Sequence, residues 1–258
     1  MRLLKKIIKS LLTSAALIYL FFGIYLFIKQ RDFIYYNTPL IVQQFQEETF
    51  INNGIKIKST VLNEGKENAI IYFGGNAETV DYNSAMFTTN FPNHSIYLIK
   101  YRGYSGSEGD ATEENLYSDA LYIFDKIKPR YKKMTIVGRS LGSGVATFLA
   151  SQREVDKLVL ITPFDSVQNV AQDVFSLYPM SIILKDKYDS IGRVKKIHAK
   201  TLIIAAQKDQ MIKPERTKAL VDAFPNSQVI YKIIDRADHN TISNYHKYYE
   251  ILDNFINH

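Results

Sequence analysis

Short runs of apolar residues alternate along most of the chain with longer stretches that carry apolar residues at helical spacing. From residue 69 onward the short runs are apolar throughout, as expected for strands that helices cover on both faces. This alternation predicts an α/β fold with a mostly parallel central sheet and helices on both sides. The predicted strands are residues 55–62, 69–75, 95–101, 134–138, 157–162, 201–206 and 228–234, and the clearest apolar helix face, within residues 113–128, consists of Leu116, Ala120, Ile123, Phe124 and Ile127.

Residues 164–198 interrupt the alternation between two predicted strands. The segment is too long for a plain connection in a compact sheet domain. We interpret it as a small cap inserted between the strands. Residues 51–258, with this cap included, have the length of one domain that can bury a full core.

The run of 19 uncharged residues at positions 10–28, SLLTSAALIYLFFGIYLFI, differs from all the others. As a helix it is about 28 Å long, which matches the hydrocarbon core of a bilayer. It is longer than the apolar region of a cleaved signal peptide, the main alternative, and bulky residues follow it instead of a small-residue cleavage site. It is not amphipathic, which argues against a buried core helix. We therefore predict an uncleaved transmembrane signal anchor at residues 10–28 and a juxtamembrane connector at residues 29–50.

The formal net charge of +6 is concentrated next to this span. Residues 1–32 contain six of the 32 basic residues and one of the 26 acidic residues, which leaves 26 basic against 25 acidic residues elsewhere. The domain therefore lacks the basic footprint of a nucleic-acid-binding protein, and no nucleic-acid partner is expected. Four basic residues lie in residues 1–9, before the span. The positive-inside rule then predicts a cytoplasmic N-terminal segment and a domain on the other side of the plasma (inner) membrane.

The sequence GRSLG at residues 138–142 fits the pattern G-x-S-x-G, with Ser140 at its centre. It follows the predicted strand 134–138 and opens a predicted helix that begins near Leu141, which is the setting of a nucleophile elbow. The glycines leave room for a sharp turn and for a helix packed close to the strand. The alternative is a serine that caps a helix after a tight turn. The chain has no cysteine, which excludes a cysteine nucleophile, disulfides and thiolate metal sites.

A serine nucleophile needs a histidine base and an acid that orients it, each placed after a strand. His239 lies just past the predicted strand 228–234, whereas the other four histidines precede strands or lie on or beyond the last helix. Two acids are candidates. Asp209, which follows the predicted strand 201–206, is favoured over Asp165, which follows the strand before the cap. The acid that is not used would be a turn or capping residue.

The oxyanion of an acyl-transfer intermediate needs two fixed N–H donors. One is expected from Leu141, the residue after the nucleophile. The other is expected from Asn76 in the sequence GGNAE, which follows the apolar run AIIYF at residues 69–73 and begins with two glycines that let the backbone approach closely. Without the elbow, GGN would indicate a simple turn.

Several segments together resemble a known family. They are YFGGNAE, YRGYSGSEGDATEENLYSDA, IVGRSLGSGVATFLAS, TPFDS, KDQMIKPE and DHNTIS, spread over roughly residues 50–258. The chain resembles the α/β-hydrolases of the Bem46 type, a membrane-anchored branch of the α/β-hydrolase-domain proteins. By motif match the resemblance implies Ser140 as nucleophile, Asp209 as acid, His239 as base, and Asn76 and Leu141 as oxyanion donors. It also implies ester or thioester substrates, such as a lipid or an acylated protein. The implied reaction requires no cofactor and no metal.

We therefore expect a single-pass, membrane-anchored serine hydrolase. A serine peptidase of the same fold is one alternative, although no negative site for a substrate's free amine is identified. A catalytically silent membrane scaffold is another. Apolar cap residues either line an acyl pocket or form a helix face packed on the domain; they are Val174, Phe175, Leu177, Ile182, Ile183 and Leu184.

Overall fold

The computed structural model describes residues 1–41 and 44–258. Within these residues, eight strands form one sheet in the order β1-β2-β4-β3-β5-β6-β7-β8. The strands are β1 (Gln46–Asn52), β2 (Ile55–Leu62), β3 (Asn68–Phe73), β4 (His94–Ile99), β5 (Lys133–Arg139), β6 (Lys157–Ile161), β7 (Lys200–Ala206) and β8 (Val229–Ile234). The pairs β1–β2 and β2–β4 are antiparallel, and every other neighbouring pair is parallel. The predicted α/β fold with a mostly parallel sheet is confirmed.

The described residues also form eight α-helices. They are α1 (Arg2–Ile34), α2 (Ser84–Asn90), α3 (Glu113–Ile127), α4 (Leu141–Gln152), α5 (Val167–Val174), α6 (Met180–Ile183), α7 (Pro214–Ala223) and α8 (His246–Asn257). The predicted apolar face of α3 is buried along its whole length. Thr112 caps this helix, because its side chain accepts a hydrogen bond of 3.1 Å from the Asn115 amide.

Apolar residues cover both faces of the sheet, which explains the apolar runs in the sequence. On β3, Ile71 and Phe73 face one core cluster, built with α3, α4 and α7. Ile70 and Tyr72 face the other cluster, built with α2 and α8. Successive residues of a strand point to opposite faces, so a strand buried on both faces must be apolar at each position.

The seven predicted strands correspond to β2–β8, with ends that differ by at most two residues. The sequence did not predict β1, which lies partly within the stretch assigned to the connector, residues 29–50. Its sequence, QEETFIN, is mostly exposed, since β1 is the edge strand beside β2. Such a strand is held by its neighbour and leaves little apolar signal.

Between β6 and β7 the chain leaves the sheet and forms α5, α6 and a 3₁₀ turn (Ile191–Lys196). The excursion predicted over residues 164–198 is therefore present, and we call α5, α6 and the loop between them the cap. At the other end of the chain, α1 is the one helix among the described residues that is long and apolar enough to cross a membrane. Nearly all of its apolar span is exposed, unlike a core helix, although a signal sequence meets the same criteria of length and composition.

Candidate active site

Ser140 lies on a sharp turn between the end of β5 and the start of α4. Its backbone has φ 49° and ψ −116°, a conformation that is costly for a residue with a side chain. A Cβ added at Gly142 would overlap the carbonyl oxygen of Phe73, and one added at Gly138 would overlap the carbonyl of Gly142. Both positions must therefore be glycine for α4 to start so close to the sheet. The local sequence thus builds the elbow that the pattern predicted.

Three side chains that are distant in sequence form a hydrogen-bonded chain at this turn. His239 Nε2 lies 2.9 Å from Ser140 Oγ, and His239 Nδ1 lies 2.8 Å from Asp209 Oδ2. An ionised carboxylate only accepts, so Nδ1 carries the proton and Nε2 accepts from the serine hydroxyl. The residues follow β5, β7 and β8, whose carboxyl ends share one sheet edge because the strands are parallel. The structure therefore brings together the three side chains that the sequence singled out.

Backbone donors hold the Asp209 carboxylate in place. Its Oδ1 accepts from the amides of Met211, at 3.0 Å, and Ile212, at 2.8 Å, which leaves Oδ2 for His239. The histidine itself is only 6% exposed. Water therefore competes little for the bond between the carboxylate and the imidazole.

Asp165, the alternative acid, is engaged elsewhere. Its carboxylate accepts from the Ser166 amide at 2.7 Å, from Asn169 Nδ2 at 2.7 Å and from the Arg216 guanidinium at 3.2 Å. These contacts tie the start of α5 to α7. Of the two candidate acids, Asp209 contacts the histidine.

The GGN loop lies beside the elbow. A Cβ added at Gly75 would come 3.5 Å from Ser140 Cβ, an ordinary van der Waals contact, so the loop lies directly against the serine. The Asn76 side-chain oxygen accepts from the Tyr36 amide at 2.9 Å and from the Tyr104 hydroxyl at 3.0 Å. In the described part of the chain, the backbone amides of Asn76 and Leu141 donate to no protein acceptor. Both predicted oxyanion donors are therefore free to bind a ligand oxygen.

The fold has clear counterparts among solved structures, and the sequence has relatives. The structure superposes on an esterase from Pyrococcus furiosus with a TM-score of 0.67, over 86% of this chain and 98% of that one, at 14% identity. An uncharacterized protein of Mycobacterium tuberculosis is 32% identical over 150 residues, 57% of this chain and 53% of the relative. Alpha/beta hydrolase domain-containing protein 17C of Xenopus tropicalis is 30% identical over 171 residues, 64% of this chain and 53% of the relative. The chain has the α/β-hydrolase fold, and part of its sequence is similar to an α/β-hydrolase-domain protein.

The matches span about half the length of these curated relatives, and no family model matches the chain. At 14% identity, the likeness to the esterase shows the fold alone. The predicted resemblance is confirmed in that the chain has the α/β-hydrolase fold and has relatives among the α/β-hydrolase-domain proteins.

The sequence did not single out Glu78, whose carboxylate organises the GGN loop of this α/β-hydrolase. It accepts from the Gly75 amide at 2.6 Å, from the Tyr72 hydroxyl at 2.7 Å and from Asn83 Nδ2 at 2.7 Å. Burial, together with the carboxylate beside it, raises the pKa of Tyr72 well above its ordinary value, so the phenol stays protonated and donates. The only sequence signal was the acid in GGNAE.

Arg139, the residue before Ser140, connects the Glu78 network to the loop that contains His239, which we call the histidine loop. Its guanidinium donates to the carbonyls of His239, at 3.3 Å, and Asn240, at 3.2 Å. It also lies 3.7 Å from Glu78 Oε1. Burial disfavours its charge, but the neighbouring Tyr72 and Glu78 hold the pKa of Arg139 above its ordinary value. Glu78 and Arg139 thus connect the GGN loop, which contains Asn76, to the loop that contains His239.

We expect Glu78→Gln to lower kcat at least about tenfold, since hydrogen bonds to charged groups contribute about 1.5–3 kcal/mol each. Three donors converge on the carboxylate, and glutamine offers one oxygen and an NH₂ group in its place. The measurement is kcat for a chromogenic ester, with thermal unfolding to check the fold. Glu114→Gln, at an exposed position of α3, is the matched control. Equal kcat values for the two variants would contradict a positioning role.

The described residues contain no group of three or more His, Cys, Asp or Glu side chains arranged to hold a metal ion.

Proposed function

We propose that this chain is a membrane-anchored serine hydrolase that cleaves carboxylic esters or thioesters through an acyl-enzyme. The observation that carries the proposal is the hydrogen-bonded chain from Asp209 through His239 to Ser140, beside two unpaired backbone amides. Sequence similarity to an α/β-hydrolase-domain protein supports hydrolase chemistry. The structural neighbour from Pyrococcus furiosus is an esterase, which fits ester cleavage.

In the first half of the proposed reaction, Ser140 Oγ attacks the acyl carbonyl carbon while its proton passes to His239 Nε2. The carbonyl oxygen becomes an oxyanion and accepts from the amides of Asn76 and Leu141. Asp209 stabilises the imidazolium that forms. When the oxyanion collapses, the bond to the leaving group breaks. The imidazolium then gives its proton to the departing alcohol or thiol, and the acyl group remains on Ser140.

In the second half, water replaces the alcohol or thiol. His239 takes a proton from the water as its oxygen attacks the acyl carbon, and the same two amides bind the second oxyanion. Collapse releases the carboxylic acid, and the proton returns to Ser140 Oγ. Apart from the substrate and water, neither half needs a group from outside the chain.

The proposed location is the plasma (inner) membrane, with α1 as a single-pass anchor. The length and exposure of α1 support attachment to a bilayer. The excess of basic residues in residues 1–9 supports a cytoplasmic N-terminus and a domain on the non-cytoplasmic side. A site held close to the bilayer favours lipid or acylated-protein substrates.

A comparison of substrates tests the proposed activity. The full chain in detergent is assayed with p-nitrophenyl esters of increasing acyl length and with a peptide p-nitroanilide. We expect kcat/KM for the best ester to exceed that for the anilide by at least about tenfold, a difference of about 1.4 kcal/mol in transition-state binding. Faster cleavage of the anilide would favour a peptidase. No cleavage of either by folded protein would favour a silent scaffold.

A further inference from the structure

A cavity of about 460 Å³ lies between the end of α1 and the cap. This volume falls within the range of about 300–1,000 Å³ that is typical of ligand pockets. Four of the predicted apolar cap residues, Val174, Phe175, Ile183 and Leu184, line it. The wall opposite the cap comes from α1 and includes Leu26, Phe33 and Ile34. The cavity therefore has one wall from the domain and one from the apolar N-terminal helix.

The contacts between α1 and the cap fix this arrangement. Both polar groups of the Gln30 side chain are used: Nε2 donates to the Ile183 carbonyl at 3.0 Å, and Oε1 accepts from the Lys185 amide at 2.5 Å. One residue further on, the Arg31 guanidinium pairs with Asp186 at 3.0 Å. These contacts hold the end of α1 against α6 and the residues that follow it.

The cavity reaches the loop that carries Asp209. Gln210 and Met211 form part of its wall and directly follow Asp209, and the Met211 amide donates to the Asp209 carboxylate at 3.0 Å. An apolar chain held in the cavity would therefore contact the loop whose carboxylate binds His239.

The cap also lies beside the part of α1 that would cross a bilayer. The Tyr19 hydroxyl donates to the Leu177 carbonyl at 2.8 Å, and its ring stacks on Tyr178 with centroids 4.4 Å apart. Tyr19 lies about 14 Å along the helix from Ile28, the last residue of the uncharged run. Because a bilayer's hydrocarbon core is about 30 Å thick, that position is near its middle. Leu177 is 79% exposed and Ile182 is 78% exposed, so a bilayer that surrounds α1 would also contact these apolar side chains of the cap.

We propose that the cavity binds the long, unbranched acyl chain of the substrate, that α1 forms one wall of this site, and that the chain enters from the lipid leaflet beside the cap. The proposal rests on the proposed hydrolase function and specifies its substrate class. In this arrangement the anchor shapes the acyl site as well as holding the domain at the membrane.

Filling the cavity from the anchor side tests the proposal. Leu26, which is 3% exposed, is replaced by tryptophan, and Leu20→Trp, at a position that is 58% exposed on the same helix, is the matched control. The full chain in nanodiscs is assayed with p-nitrophenyl acetate and decanoate. We expect Leu26→Trp to lower the ratio of decanoate to acetate kcat/KM by about tenfold or more, because methylenes that the cavity would bury are excluded. Leu20→Trp is expected to leave the ratio at the wild-type value.

A second variant tests the cavity even when Leu26→Trp fails to fold. Ala171→Phe fills the same cavity from α5, and Ser176→Phe, at an exposed position of the cap, is its control. The same selective loss in Ala171→Phe supports the acyl site. An unchanged ratio in both Leu26→Trp and Ala171→Phe overturns it. Absence of any hydrolysis by the wild type would instead refute the proposed function.

Two membrane-resident substrates show whether the acyl chain comes from a lipid or from an acylated protein. The nanodiscs carry either a decanoyl glyceride or an S-decanoyl peptide. Cleavage of one of them by the wild type, with a loss of about tenfold or more in Leu26→Trp, supports the proposal and identifies that source. If the wild type and Leu26→Trp cleave each substrate equally fast, the proposal is overturned.

Discussion

Replacing Ser140 by alanine is expected to lower kcat for ester hydrolysis by about 10⁶-fold, the size of effect seen when a serine hydrolase loses its nucleophile. The hydroxyl is the group that the base at 2.9 Å would activate. The backbone bond from the Ser140 amide to Ile161 does not depend on the side chain, so the fold should persist. The measurement is kcat for a p-nitrophenyl ester, with circular dichroism to check the fold.

Ser151→Ala provides the matched control for this change. It lies on α4, at the opposite end from the elbow, and its hydroxyl donates only to the Phe148 carbonyl, at 2.7 Å. Its kcat is expected to stay at the wild-type value. Turnover by Ser140→Ala within about tenfold of the wild type would rule out Ser140 as the nucleophile.

Asp209→Asn is expected to lower kcat by about 10⁴-fold, as in other enzymes whose triad acid becomes an amide. The asparagine can still accept from the amides of Met211 and Ile212. Its NH₂ group, however, would face His239 Nδ1, which favours the tautomer with the proton on Nε2. That tautomer cannot accept the serine proton. The measurement is again kcat, compared at equal fractions of folded enzyme.

Asp165→Asn is the control that separates the two candidate acids. It is expected to keep kcat within about tenfold and to lower the free energy of unfolding by about 1–3 kcal/mol, because it weakens the buried contact with Arg216. Chemical denaturation measures the second effect. A larger loss of kcat in Asp165→Asn than in Asp209→Asn would reverse the assignment.

The sequence predicted the strands that are buried on both faces and missed the strand that is not. In β3 and β6 every position after the first residue belongs to one of the two core clusters, so local composition alone carries the signal. In β1 the exposed polar residues Gln46 and Glu47 obscure the apolar signal of a strand. This edge strand forms because it pairs with β2. The residues of an edge strand do not show which strand it pairs with, so local composition alone does not predict it.

The candidate site was predictable to the extent that it follows from topology. Parallel strands place the residues after their carboxyl ends at one edge, which brought Ser140 and His239 together. Topology did not decide between Asp209 and Asp165, because both follow such strands; hydrogen-bond geometry decides it. The contact between Arg139 and the histidine loop depends on how two loops converge, which local pattern does not encode.

The contacts of α1 with the cap were also beyond the sequence. Residues 10–28 have the composition of a helix surrounded by lipid, and nothing in the run marks Tyr19 as a contact of Leu177, 158 positions later. Gly23 is a second example, since a Cβ added there would come 3.3 Å from the Tyr178 ring. Helices that span a membrane and helices that pack on a domain both consist of apolar residues. Composition alone therefore does not show which face of α1 contacts the cap.

The most direct test of the central claim is the reaction of the full chain with a fluorophosphonate, followed by intact mass and peptide mapping. The account predicts one phosphonylated residue, Ser140, with no adduct in Ser140→Ala and a much slower reaction in His239→Ala. Folded protein that stays unlabelled, or an adduct on another residue, would contradict it.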